Sequence, residues 1–142
     1  MVLTQAPHCT SESLQIEGTV LGSVISDVRT TNINAGLDQF SMPSFRTPVV
    51  DFAPLAANQV ALTITWTTGL FDGQAAAASG GSVTLPANHP QAGAKYCVSQ
   101  GDVGFVSGGS EDGVFKFAIS ELKAGADCSG ATSAVDLRGC FK

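Results

Sequence analysis

Residues 60–66, which read "VALTITW", alternate large apolar side chains with small or hydroxylated ones. The large residues are Val60, Leu62, Ile64 and Trp66, and the intervening residues are Ala61, Thr63 and Thr65. This period of two predicts a β-strand whose apolar face lies in the core. The opposite face carries no charge, so we expect it to be covered by a second layer of the protein or by a neighbouring molecule.

The rest of the chain also has strand character and almost no helical periodicity. Residues 13–20 alternate in the same way, and residues 23–33 are rich in β-branched side chains, which favour extended backbone. Further strands are predicted at residues 49–52 (as an edge strand), 82–85, 95–99, 103–106, 114–120 and 134–137. A single helical turn capped by Gly125 is predicted at residues 120–123, and a long flexible loop at residues 67–82.

These elements together predict an all-β fold, namely an antiparallel β-sandwich of about eight strands. A closed or partly open β-barrel is the alternative. The chain has 142 residues, which fits one domain over residues 1–142, and we expect the N-terminal segment 1–12 to be flexible.

Charge and hydropathy exclude two classes of function. Charged residues make up 13% of the chain, the net charge is −5, and Lys and Arg form no cluster. Nucleic-acid binding needs a basic patch to neutralise phosphates, so it is not expected. No apolar run approaches the ~18 residues of a membrane span, so none is predicted.

Four cysteines, Cys9, Cys97, Cys128 and Cys140, are scattered along the chain without a CxxC motif. An even number of scattered cysteines in a low-charge chain favours disulfides and an oxidising compartment. Cys128 and Cys140 are predicted to pair because they enclose a short loop rich in small residues, with the other pairings left open. The protein is predicted to be extracellular or periplasmic, with its leader absent from this chain; a cytoplasmic location is not excluded, because the first residues, "MVLTQAPHC", contain no signal peptide.

The sequence offers little for catalysis. Only His8 and His89 can act as an imidazole base, and no G-x-S-x-G motif is present. His89 lies between asparagine and proline in a predicted turn, where a solvated side chain is expected. No catalytic residue is therefore assigned, and no cofactor is expected apart from a calcium ion. The candidate ligands for calcium are Asp102, Glu111 and Asp112, which flank a predicted hairpin; acidic turn residues in solvent are the favoured interpretation.

Trp66, Tyr96 and His89 are the candidate ligand contacts, although Trp66 shares the phase of the predicted core face. The expected function is a non-catalytic extracellular or periplasmic recognition or assembly module that binds a protein partner or self-associates. The alternative is a small-ligand-binding barrel or small enzyme with its site in the end loops. The interior distinguishes them, because Phe115, Phe117 and Trp66 meeting at the centre would leave no room for a ligand.

Overall fold

The computed structural model describes residues 6–9, 13–30, 35–38, 49–52, 58–66, 75–106, 114–125 and 127–141, and for residues 35–38, 49–52 and 105 it describes the backbone only. These residues form ten β-strands. The strands are β1 (Leu14–Val20), β2 (Ser23–Arg29), β3 (Ala35–Asp38), β4 (Val49–Phe52), β5 (Ala61–Thr65), β6 (Ala75–Ala77), β7 (Gly80–Thr84), β8 (Lys95–Phe105), β9 (Phe115–Ala124) and β10 (Thr132–Phe141).

All ten strands belong to one antiparallel sheet in the order β2-β1-β10-β9-β8-β7-β5-β4-β3, with β6 pairing to β8 beside this path. The predicted all-β antiparallel class is confirmed. Within that class, one continuous curled sheet corresponds to the partly open barrel, the alternative left by the sequence. None of the described residues forms a helix of the length and hydropathy that crossing a bilayer requires.

The β1–β2 hairpin fixes the register at one end of the sheet. Its two-residue turn has positive φ at both positions, 52° at Leu21 and 81° at Gly22, as a type I′ turn requires. Val20 pairs with Ser23 across this turn, and Gly18 pairs with Ile25. In such a hairpin the pair flanking the turn is hydrogen-bonded and every second pair after it is too.

The inner face of the sheet is filled by apolar side chains. The ring centroids of Trp66 and Phe115 lie 5.3 Å apart, and those of Phe115 and Phe117 lie 6.3 Å apart. A glycine at position 139 makes room for Phe117, because a Cβ built there would lie 2.3 Å from that ring. The other members of this core are Leu14, Ile16, Val20, Ile25, Val60, Leu62, Ile64, Val83, Leu85, Tyr96, Val98, Val103, Ile119, Leu122 and Leu137.

Several predicted boundaries are wrong, and strand pairing explains each of them. The helical turn predicted at residues 120–123 belongs to β9, where Leu122 is buried and pairs with Val98. Residues 95–99 and 103–106 were predicted as two strands, but residues 95–105 form the single strand β8, whose register shifts around Gln100. Such bulges interrupt the alternation without ending the strand. The predicted edge strand β4 lies between β3 and β5, and part of the predicted loop 67–82 forms β6 and β7.

The cysteines form two disulfides, Cys9–Cys140 and Cys97–Cys128, with Cα–Cα distances of 5.9 and 5.4 Å. The predicted Cys128–Cys140 pair is wrong. Cys128 precedes β10 and Cys140 lies near the far end of that strand. At about 3.3 Å per residue, the strand from residue 132 to residue 140 alone spans about 26 Å, whereas bridged Cα atoms lie within about 7 Å.

Candidate functional site

Strand β2 has an unusual distribution of polarity between its two faces. Asp27 and Arg29 point into the protein and are 0% and 2% exposed. Val24 and Val28 point outward and are 79% and 59% exposed, and they are the large hydrophobic side chains that stand out in solvent among the described residues. Charged groups are therefore buried and apolar groups exposed on the strand that ends one side of the sheet.

Asp27 and Arg29 form a buried bidentate ion pair. The Arg29 Nε donates to Asp27 Oδ1 at 3.0 Å, and Nη2 donates to Oδ2 at 2.8 Å. Both side chains also bond to the backbone of Val60, whose N–H donates to Asp27 Oδ2 at 2.9 Å and whose carbonyl accepts from Arg29 Nη2 at 2.9 Å. Charges taken out of water in this way are tolerated only when pairing and hydrogen bonds are this complete.

This ion pair connects two distant parts of the sheet. β2 is the first strand in the sheet order, and Val60 directly precedes β5, which lies six strands further along. No backbone pairing joins β2 to β5 among the described strands. The side chains of Asp27 and Arg29 therefore hold the curled sheet together where the strand ladder is open.

The outer edge of β2 carries backbone groups that the β1–β2 hairpin does not use. Because Ser23 and Ile25 lie in hydrogen-bonded pairs with β1, the N–H and C=O groups of Val24, Ser26 and Val28 point away from β1. The position of Asn58 agrees with this direction, since its side-chain amide donates to the Ser26 carbonyl at 3.4 Å. The valines exposed in solvent thus flank an open strand edge.

His89 is buried, and the predicted solvated side chain is wrong. Its Nε2 lies 3.1 Å from the Val20 carbonyl, and its Nδ1 accepts the backbone N–H of Gln91 at 3.0 Å. Nδ1 is thus the acceptor, so Nε2 carries the proton that is donated to Val20. Both ring nitrogens thus hold the β7–β8 connection against the end of β1.

The other two candidate ligand contacts, Trp66 and Tyr96, are also buried. Trp66 is 1% exposed and stacks on Phe115 inside the sheet. Tyr96 is 8% exposed, and its hydroxyl donates to Gln91 Oε1 at 2.9 Å, beside the backbone bond that Gln91 makes to His89. Tyr96 and His89 therefore share one network, whereas Trp66 lies in the aromatic core.

The candidate metal ligands are only partly within the described residues. Asp102 lies half-buried in β8, paired with Ala77 and Ala118. Glu111 and Asp112 lie outside the described residues, together with the predicted hairpin turn. In the part of the chain that the structure does describe, no three His, Cys, Asp or Glu side chains are grouped to hold a metal ion.

The hydroxyl face of β5 is neither fully exposed nor fully covered. Thr63 and Thr65 are half-buried, and the Thr65 hydroxyl lies 3.3 Å from that of Ser79. Thr63 pairs with Ser82 of β7, so hydroxyl groups continue onto the neighbouring strand. Among the described strands no second sheet packs on this face.

Segment 6–9 is anchored to the outer side of the sheet. The Cys9–Cys140 disulfide packs with Val114 in a small buried cluster, and Ala6 is also buried. Gln15 of β1 donates from its side chain to the His8 carbonyl at 3.4 Å. Within the segment 1–12 that was predicted to be flexible, residues 6–9 are thus held by a covalent bond and by packing.

The two faces of β2 were not identified from sequence, and the alternation of its residues indicates the wrong inner face. In "SVISDVR" (residues 23–29) the charged residues share the phase of Ile25, and the valines share the opposite phase. The rule that assigned the core face of β5 would have placed the valines inside and Asp27 and Arg29 in solvent, the reverse of their observed positions. Pairing with Val60 had no signal in sequence, because it depends on how far the sheet curls.

Comparison with known proteins adds no functional information. No protein-family model, curated protein or solved structure matches the chain. The chain is accordingly defined by its own features, as an all-β protein with two disulfides and one continuous antiparallel sheet.

Proposed function

We propose that this protein is a non-catalytic extracellular or periplasmic module that acts in recognition or assembly through the exposed edge of β2. The exposure of Val24 and Val28 on an open strand edge is the observation that carries the proposal. Open edges with apolar side chains pair readily with other strands, and proteins usually protect them with charge or proline. The outer face of β2, which consists of Val24, Ser26 and Val28, carries neither. The inward charges of β2, Asp27 and Arg29, are paired with each other and bonded to Val60 of the same chain.

The cysteines support the proposed compartment. All four are joined in two disulfides, and such bonds persist mainly in oxidising environments. The bridge from Cys9 closes a sequence separation of 131 residues. In the chain-entropy model a loop of this length stabilises the folded state by about 5 kcal/mol, so we expect the protein to depend on an oxidising compartment.

The interior and His89 support the absence of catalysis. Trp66, Phe115 and Phe117 occupy the centre of the sheet, so the alternative of a ligand bound inside a barrel has less support than binding at the surface. His89 uses both ring nitrogens in structural hydrogen bonds. A general base needs an available nitrogen within reach of a substrate proton.

The non-catalytic proposal is tested with chromogenic esters, peptides and glycosides. We expect the purified protein to hydrolyse none of them faster than buffer, and His89→Ala to leave these rates unchanged. Gln91→Ala is the matched variant, because it weakens the same network without removing an imidazole. Turnover that is lost in His89→Ala but retained in Gln91→Ala, with both proteins folded by circular dichroism, would contradict the proposal.

A further inference from the structure

We propose that two copies of this chain associate by antiparallel pairing of their β2 strands, about a two-fold axis that passes beside Ser26. This inference rests on the assembly role proposed above and specifies the partner and the register. The contact is isologous, because each copy contributes the same strand edge.

The backbone of β2 is self-complementary in this register. Ser26 lies opposite Ser26 of the second copy, and Val24 lies opposite Val28 in both directions. All three residues direct N–H and C=O groups away from β1, as the hairpin register requires. Each facing pair is therefore of the hydrogen-bonded type, which contributes two backbone bonds, or about six for the three pairs.

The side chains of this edge are also complementary to themselves. On the outer face, Val24 meets Val28 of the second copy, and β-branched pairs stabilise neighbouring strands. Burial of these valines would remove the most exposed large hydrophobic side chains among the described residues from water. An antiparallel register centred on Ser26 is the one that covers both valines of both copies.

Charge does not oppose the pairing. Asp27 and Arg29 neutralise each other on the inner face and are bonded to Val60 of their own chain. Glu17 is the outward charge paired beside Ser26 on β1. Two Glu17 side chains would be separated by three strand spacings, about 14 Å, which exceeds the Debye length of about 8 Å at physiological salt.

Asn58 is the one described side chain that bonds to this edge. Its bond to the Ser26 carbonyl is long, at 3.4 Å, and lies in solvent. A backbone N–H from the second copy would replace it with a shorter bond in better geometry. A single pair of strands buries less than the roughly 800 Å² per partner of stable complexes, so we expect a dimer whose population depends on concentration.

Sedimentation velocity tests the inference from about 1 μM to about 1 mM, the range of Kd for weak complexes. We expect the wild type to shift from monomer to dimer across this range. Val24→Lys/Val28→Lys places two pairs of like charges directly opposite each other and should weaken dimerisation roughly tenfold or more. Val24→Lys/Val28→Glu places opposite charges there instead, so its dimer should be restored relative to the double lysine variant.

The lysine–glutamate variant makes the test specific for the register. Within one chain the two positions are four residues apart, about 13 Å along the strand, so they interact little with each other. In a parallel pairing the same variant would face lysine with lysine and glutamate with glutamate. Ser82→Lys/Ala134→Lys is the matched control, because it adds the same charge at two exposed positions on other strands and should dimerise like the wild type.

Three results would overturn the inference. A wild type that remains monomeric over the whole range would exclude the second copy as partner. A dimer that is unaffected by Val24→Lys/Val28→Lys would show that assembly uses another surface, which contradicts β2 as the site but leaves a non-catalytic role in assembly standing. Equal weakening of the lysine–lysine and lysine–glutamate variants would exclude the antiparallel register. Circular dichroism confirms that each variant is folded.

Discussion

Strands β2 and β5 carry the same alternation of side chains but distribute polarity in opposite ways. β5 buries Leu62 and Ile64 and leaves Thr63 half-buried on its outer face. β2 buries Asp27 and Arg29 and exposes two valines. The difference follows from position, because β5 lies between β4 and β7, whereas β2 has one neighbour, β1, among the described strands.

This contrast shows that the inner face of an edge strand can be polar when its charges have another function. In β5 the inner face contributes hydrophobic burial, and the backbone hydrogen-bonds to β4 on one side and to β7 on the other. In β2 the inner face supplies an ion pair that bonds the backbone of Val60. The edge of β2 away from β1 pairs with no described strand, and its Ser26 carbonyl accepts from the Asn58 side chain. The exposed valines and the buried charges thus lie on opposite faces of the same strand, which is the first strand of the described sheet.

The largest expected effect is the difference in the free energy of unfolding between a lysine on the inner face of β5 and a lysine on the outer face of β2. Ile64→Lys should cost more than about 4 kcal/mol or prevent folding, because an ammonium group would be placed in the apolar core. Val24→Lys should change the free energy of unfolding by about 0.5 kcal/mol or less, because it stays in solvent. Urea unfolding followed by the fluorescence of the single tryptophan, Trp66, measures both.

Thr63→Lys should lower the free energy of unfolding by an amount between those of Val24→Lys and Ile64→Lys. Its position is half-buried, so the lysine stem can extend along the surface to reach water at a smaller cost than in the core. If Ile64→Lys does not fold, Ile64→Ala replaces it, with an expected cost of about 2 to 5 kcal/mol. Equal destabilisation by lysine at positions 24 and 64 would contradict the assignment of faces.

A second effect tests the ion pair on the inner face of β2. Arg29→Met leaves the Asp27 carboxylate buried without its cation, and we expect a loss of about 3 to 5 kcal/mol in the free energy of unfolding. Urea unfolding at neutral pH, at a protein concentration low enough to keep the chain monomeric, measures this loss.

The double variant Asp27→Leu/Arg29→Met is the control for this measurement. It removes both charges and should be less destabilised than Arg29→Met alone, because no unpaired ion remains. The two bonds to Val60 are lost in the double variant as well, so some cost remains. An Arg29→Met variant as stable as the wild type would show that the pair does not hold β2 to Val60.

The smallest expected effect on stability comes from Asp127, whose carboxylate is exposed whereas that of Asp27 is buried. The Ser129 hydroxyl donates to Asp127 Oδ1 at 2.8 Å and its N–H donates at 3.3 Å, and together they lower the pKa of Asp127. A lowered folded pKa stabilises the protein above the unfolded pKa of about 3.9, and this contribution is lost as pH falls through the folded value. Carboxyl ¹³C NMR should give a midpoint below the ordinary value.

Ser129→Ala is the control for that titration. It removes the hydroxyl that makes the shorter hydrogen bond, so the Asp127 midpoint should move back towards the ordinary aspartate pKa. A wild-type midpoint at or above that ordinary value would contradict the assignment. Because Asp127 is fully exposed, its effect on stability should be small beside that of Arg29→Met.

The alternation of side chains along the sequence predicted the features of this fold that depend on residues adjacent in the chain. The alternation of residues 60–66 correctly placed Leu62 and Ile64 in the core and Thr63 on the other face. β-branched residues and turn-forming glycines indicated antiparallel strands throughout. Bulges were invisible to the same reasoning, since the phase changes in β8 and β10 are set by the partner strands.

The sequence by itself determined the all-β class, the core face of β5 and the presence of an even set of cysteines. Only the tertiary structure decided which cysteines meet, that His89 is buried, and that Asp27 and Arg29 bond to Val60. The physical reason is that strand alternation reports the two faces of a local segment. Contacts between residues tens of positions apart depend instead on strand order and on the curl of the whole sheet.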